Sequence, residues 1–144
     1  MTTLSLSLAN LIVDKALEKG RELHFKPLTV VILEAGGQIK VLKRDDGCSL
    51  LRPEIAIGKA WGTLGMGFGG RELARRAAKA PVFFDALSNL SGGRMVPVPG
   101  GVLIKSGDGE ILGAIGISGD TSENDEICAV HGIHSANLIA DTGD

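Results

Sequence analysis

Asp125 and Glu126 stand side by side at the start of a helical pattern over residues 123–140. Carboxylates in a first helical turn suit the positive end of the helix dipole, which favours their ionised form. That serves a general base and disfavours a general acid unless burial dominates. The plainer alternative is that they, with Glu123, only complement the dipole. Ser122 followed three residues later by Asp125 resembles a capping box with a shortened acid. Lys59 sits among Ala56, Ala60 and Trp61. An amine in such company is held near a carboxylate or a ligand anion, or else its stem lies on the surface with the ammonium in water. Arg44 and Asp45 close a strand. The guanidinium fork suits a ligand carboxylate or propionate, and the alternative is an exposed ion pair worth little.

Cys128, His131 and His134 recur every three residues and broadly share a helix face. They could ligate a soft divalent ion or supply an axial ligand to haem. His24, just past a first helix, is a further candidate ligand. HExxH, CxxC and two-His-carboxylate spacings are absent. Residues 65–70, GMGFGG, satisfy GxGxxG, but a dinucleotide site needs a strand before the motif and here a helix precedes it. The segment reads as a helix break or a loop near a ligand. Residues 116–119, GISG, do not make the GxSxG elbow of a serine hydrolase.

The elements that must carry these side chains follow from hydrophobic period and punctuation. Leu4, Leu8, Leu11, Ile12, Ala16 and Leu23 predict a helix over 5–23. Residues 28–34 and 38–44 predict strands around an Ala-Gly-Gly turn. Arg52-Pro53-Glu54 starts a helix with Pro at its first position. On it, Gly58, Gly62 and Gly65 line one face and admit another backbone, against a helix-propensity cost of about 1 kcal/mol each. A short helix over 71–79 presents Arg71, Arg75, Arg76 and Lys79 to solvent. Pro81 opens another helical turn, and 94–99 is a proline-stiffened loop. Residues 101–105 and 110–118 form a hairpin around Ser106-Gly107-Asp108-Gly109, a last helix runs over 123–140, and 141–144 fray. Tight turns within each hairpin make the sheet antiparallel, with helices packed on it.

Totals bound the rest. With 144 residues the chain is one domain, 1–144, with its own core. A net charge of −2 gives no electrostatic case for nucleic acid. No apolar run approaches the roughly 20 residues of a membrane span, and no basic stretch precedes the N-terminal apolar patch as in a signal peptide. No membrane partner is expected. Two cysteines outside any pair motif favour a reduced, cytoplasmic protein.

Six motifs in order, EAGG at 34–37, KRD at 43–45, IGKA at 57–60, VPGGV at 98–102, GAIGISG at 113–119 and NDE at 124–126, resemble the GlcG/HbpS family, to which the C-terminal domain of PduO-type proteins belongs. The resemblance covers nearly the whole chain. It implies an α/β (α+β) fold, a profilin-like antiparallel sheet flanked by helices on both faces, and homo-oligomers built as dimers, tetramers or octamers. Some relatives bind haem, one is linked to iron sensing and haem breakdown, and others sit beside glycolate, diol or corrinoid metabolism. By position, the resemblance implies a pocket of Arg44, Lys59, Gly100, Gly101, Asp125 and Glu126.

Two functions follow. In the first, the chain is a small-ligand-binding domain for haem or a related tetrapyrrole, with His24 or His131 as axial ligand and Arg44 or Lys59 near the propionates. Five aromatic residues leave few rings to stack on a porphyrin. In the second, it is a small enzyme or accessory protein acting on a hydroxy or oxo acid, held by Lys59 or Arg44, with Asp125 or Glu126 as the acid or base. A plain oligomeric scaffold is the blandest reading.

Overall fold

The computed structural model describes residues 3–144. Helix α1 (Leu6–Glu22) starts where the Ser5 hydroxyl accepts the Leu8 amide, an ordinary side-chain cap. Strands β1 (Thr29–Glu34) and β2 (Ile39–Arg44) form the first hairpin. Three helices follow: α2 (Arg52–Met66), α3 (Gly70–Lys79) and α4 (Pro81–Leu90). The second hairpin is β3 (Gly101–Lys105) and β4 (Ile111–Ser118), then come α5 (Ser122–Ser135) and β5 (Ile139–Asp141).

The five strands lie in the order β2-β1-β4-β3-β5, every pair antiparallel. Alternation sorts their side chains to two faces. Val30, Ile32, Val102, Ile104, Ile115 and Ile117 pack against α1 and α5. Val31, Leu33, Leu103 and Ala114 pack against Ala56 and Ala60 of α2. Helices therefore cover both faces, as the resemblance implies. A register shift after Ile104 turns Ile111 to the α2 face and Leu112 to the other.

The small residues of β4 set how close α2 lies. A Cβ at Gly116 would run into the Ala56 carbonyl. On the other side of α2, Gly58 and Gly62 face Arg94, Met95 and Val96, and the Val96 amide donates to the Gly58 carbonyl at 3.1 Å. Gly58 and Gly62 thus form a packing face, whereas Gly65 is exposed and meets only the Trp61 ring. Helix α2 ends at Gly67 in the left-handed region (φ 79°), so the glycine run is a helix break between α2 and α3. No helix among the described residues is long and apolar enough to cross a membrane.

Three expectations are corrected. The last helix stops at Ser135, not Ala140. Asn137 takes a left-handed turn (φ 58°), and Leu138 and Ala140 then pack inward while Ile139 faces out. That two-residue period is a strand signal that a helical reading overruns. The tail is not frayed: β5 pairs with β3, Lys105 bonds Asp141 at 2.6 Å, and the Arg71 amide donates to the Thr142 carbonyl. The cap of α5 is Thr121, whose hydroxyl accepts the Asn124 amide at 3.2 Å, not Ser122.

Because the obstacle at Gly116 is backbone, Gly116→Ala should cost about 2 kcal/mol or more. Thermal melting checks it, and an unchanged midpoint would contradict the close approach of α2 to β4.

Candidate functional site

Lys59 and Asp125 meet across the end of the sheet. Lys59 comes from α2 on one face and Asp125 from the first turn of α5 on the other. Nζ donates to Oδ2 at 3.1 Å, with side-chain exposures of 4% and 0%. Asp125 Oδ1 accepts the Asp120 amide at 3.0 Å. Burial pushes the Lys59 ammonium below its ordinary range, opposed by Asp125. Burial likewise pushes the Asp125 carboxyl up, opposed by Lys59. Gly100 closes over the amine with φ 107°. A Cβ there would lie 2.9 Å from Nζ and 3.0 Å from the Ile117 carbonyl oxygen. Gly101 packs on the Lys59 carbonyl. Lys59, Gly100, Gly101 and Asp125 are therefore one cluster, whose charges are spent on each other.

Glu126 points to α3. Arg71 donates through Nε to Glu126 Oε1 at 2.9 Å, and its Nη2 lies 2.8 Å from the same oxygen in an ion pair. The hydrogen bond and charge of Glu126 raise the Arg71 pKa. Oε2 is buried without a partner. Arg71 is thus a brace between α3 and α5 and not a solvated side chain as its helix position suggests. Arg75 ties α3 to the tail through Asp144 at 2.8 Å.

The remaining expected residues lie elsewhere. Arg44, at the end of β2, donates to the Cys48 carbonyl, while Asp45 accepts from Arg21 at 3.2 Å, so Arg44 and Asp45 do not pair with each other. Arg44 lines an open groove of ≈510 Å³ with Asp14, Leu17, Arg21, Lys43 and Asp45. It is largely charged, and Lys43 is already bonded to Asp14 at 2.7 Å. His24 is exposed in a left-handed turn (φ 58°) after α1. His131 is half-buried on α5, where its carbonyl accepts the Ser135 hydroxyl. Cys128 is buried against α1, and burial pushes its thiol up to about 12, so it stays protonated. Among the described residues no group of three or more His, Cys, Asp or Glu is placed to hold a metal ion; an axial haem ligand needs only one.

One feature went unread in the sequence. A groove of ≈230 Å³ between α2 and α4 is lined by Trp61, Met66, Leu87, Leu90, Arg94 and Met95. A second, also ≈230 Å³, lies across Met66 and includes Arg76, Lys79, Phe83 and Phe84. Both are apolar troughs with a basic rim. The signal was Val82, Phe83, Ala86 and Leu90, which fall within one arc of α4 at 100° per residue and are exposed. Equating apolar with buried hides such a stripe.

The profile of the family described as "Haem degrading protein HbpS-like" matches residues 4–134. The chain belongs to the HbpS-like family. Among solved members of this fold, the PduOC:heme complex superposes with a TM-score of 0.86 at 28% identity, over 96% of this chain and 98% of that one. HbpS superposes at 0.81 and 26% identity, over 93% and 90%. Corrinoid adenosyltransferase PduO of Salmonella typhimurium is 30% identical over 123 residues, 85% of this chain. The match spans only 36% of that protein. The HbpS-like fold is thus shared along nearly the whole chain.

Removing one partner of a buried ion pair strands the other charge, a loss of about 3–5 kcal/mol, whereas replacing both can be neutral. Lys59→Met and Asp125→Leu should each lower the melting temperature sharply, and the double variant should recover most of the loss. Additive losses would contradict a directly coupled buried pair.

Proposed function

We propose that this chain binds haem or a related tetrapyrrole and works as a homo-oligomer. The observation that carries this reading is the superposition along nearly the full length of both chains on a relative solved with heme bound, within a family described as haem-degrading. The donor set is compatible with the group. The His24 and His131 imidazoles both reach solvent and can serve as axial ligands through a ring nitrogen. Arg44 is exposed at the end of β2 and suits a propionate. Lys59 is a weaker choice for that role, since Asp125 already occupies its amine. Bound haem would supply a redox-active iron; the chain's own residues would hold its carboxylates and one axial position. Exposed Leu50 and Leu51 before α2 are the kind of surface that a second subunit covers.

The small-acid enzyme comes second. Its acid–base candidates, Asp125 and Glu126, are each engaged by a cation and line none of the grooves described above. The unpartnered Oε2 of Glu126 is the one atom that favours it.

Titrating the protein with haemin should give a saturable Soret shift at one haem per one or two subunits, with size followed by light scattering. His24→Ala or His131→Ala should alter that spectrum. A featureless titration would overturn the haem reading; a normal spectrum in both variants would remove the histidines from the iron.

A further inference from the structure

We propose that the groove between α2 and α4 is a binding site for an apolar ligand that carries a carboxylate. Arg94 carries the argument. Its Nε donates to the Ser91 carbonyl at 2.7 Å, and its guanidinium carbon lies 4.5 Å from the centroid of the Trp61 ring. The side chain is therefore fixed at two points, one polar and one by cation–π stacking. Its Nη groups make no hydrogen bond or ion pair among the described residues. A guanidinium held in place with its outer donors unspent is prepared for a planar two-oxygen acceptor, and the ordering entropy of the arginine is already met.

The surface beside it is apolar. Leu87, Leu90, Met66 and Met95 line the trough, and Leu90 is 84% exposed, standing as an outer wall with nothing against it. Met66 and Met95 are unbranched and adapt to an irregular ligand. The volume, ≈230 Å³, falls below the roughly 300–1,000 Å³ of pockets that engulf a ligand. The occupant therefore lies along the groove with part of it outside: an acyl chain whose carboxylate meets Arg94.

Charge agrees with the sign of this ligand. Arg94 borders this trough, Arg76 and Lys79 border the one beside it, and no carboxylate lines either. That same charge disfavours a symmetric contact between two copies of this face, where like charges would meet. The inference does not rest on the function proposed above: no histidine lines this groove, and the ligand it takes is an acyl carboxylate.

Trp61 is the chain's sole tryptophan and tyrosine is absent, so intrinsic fluorescence reports on this groove directly. Dodecanoate should change Trp61 emission saturably, and dodecanol, lacking the carboxylate, should bind more weakly by about tenfold or more. Arg94→Ala should weaken dodecanoate by a similar factor with no change in melting temperature. Arg76→Ala, across Met66 over Phe68, should leave it unchanged. Haemin affinity, read by absorbance on the same variants, separates this groove from the haem site. Loss of dodecanoate alone in Arg94→Ala leaves an acyl site distinct from haem, and loss of both ligands would contradict it. Dodecanoate binding without any haemin binding removes the haem reading and keeps the groove. No response at Trp61, or dodecanoate affinity unchanged in Arg94→Ala, overturns the groove.

Discussion

The fold turns on one buried ion pair that reaches around the end of a sheet. Lys59 and Asp125 belong to opposite helical layers and meet where Gly100 leads into β3 and Ser118 ends β4. Each charge is costly to bury alone, so each fixes the other's position. Around them the backbone has little freedom. Gly100 must take a left-handed conformation over the amine, the Asp120 amide must point at Asp125, and α2 must sit close enough to β4 that only glycine fits at position 116. The neighbouring Glu126 extends the arrangement to α3 through Arg71. Three helices and the sheet end are thereby referred to two adjacent carboxylates.

This changes the meaning of residues that sequence alone presents as chemistry. Acids in a first helical turn beside a lysine at an apolar position read equally as acid–base machinery or as structure. Their burial and mutual pairing favour structure. The apolar trough flanked by stacked arginines is the more open surface, and it is made of Trp61, Leu90 and Arg94, residues that carry no motif.

Much of the architecture was legible because it rests on local signals. Periodicity marked α1, the β-branched run marked β1, proline marked the start of α2, and the glycine run marked its end. What escaped was set by tertiary contacts. Strand β5 is three residues long and exists by pairing with β3. The role of Arg71 depends on α5, over fifty residues away. The outward stripe of α4 cannot be told from an inward one without knowing which side α2 occupies. For the site, Lys59 with Asp125 was suggested by the resemblance, whereas the separation of Arg44, His24 and His131 from that cluster is a matter of topology that spacing does not encode.

The most direct test of ligand binding at the groove is a methyl and indole NMR map of the labelled protein with dodecanoate. The account predicts saturable shifts concentrated on the Trp61 indole and on the methyls of Met66, Leu87, Leu90 and Met95, with the buried residues around Lys59 and Asp125 unmoved. Shifts confined to other surfaces, or no shifts at saturating ligand, would contradict it.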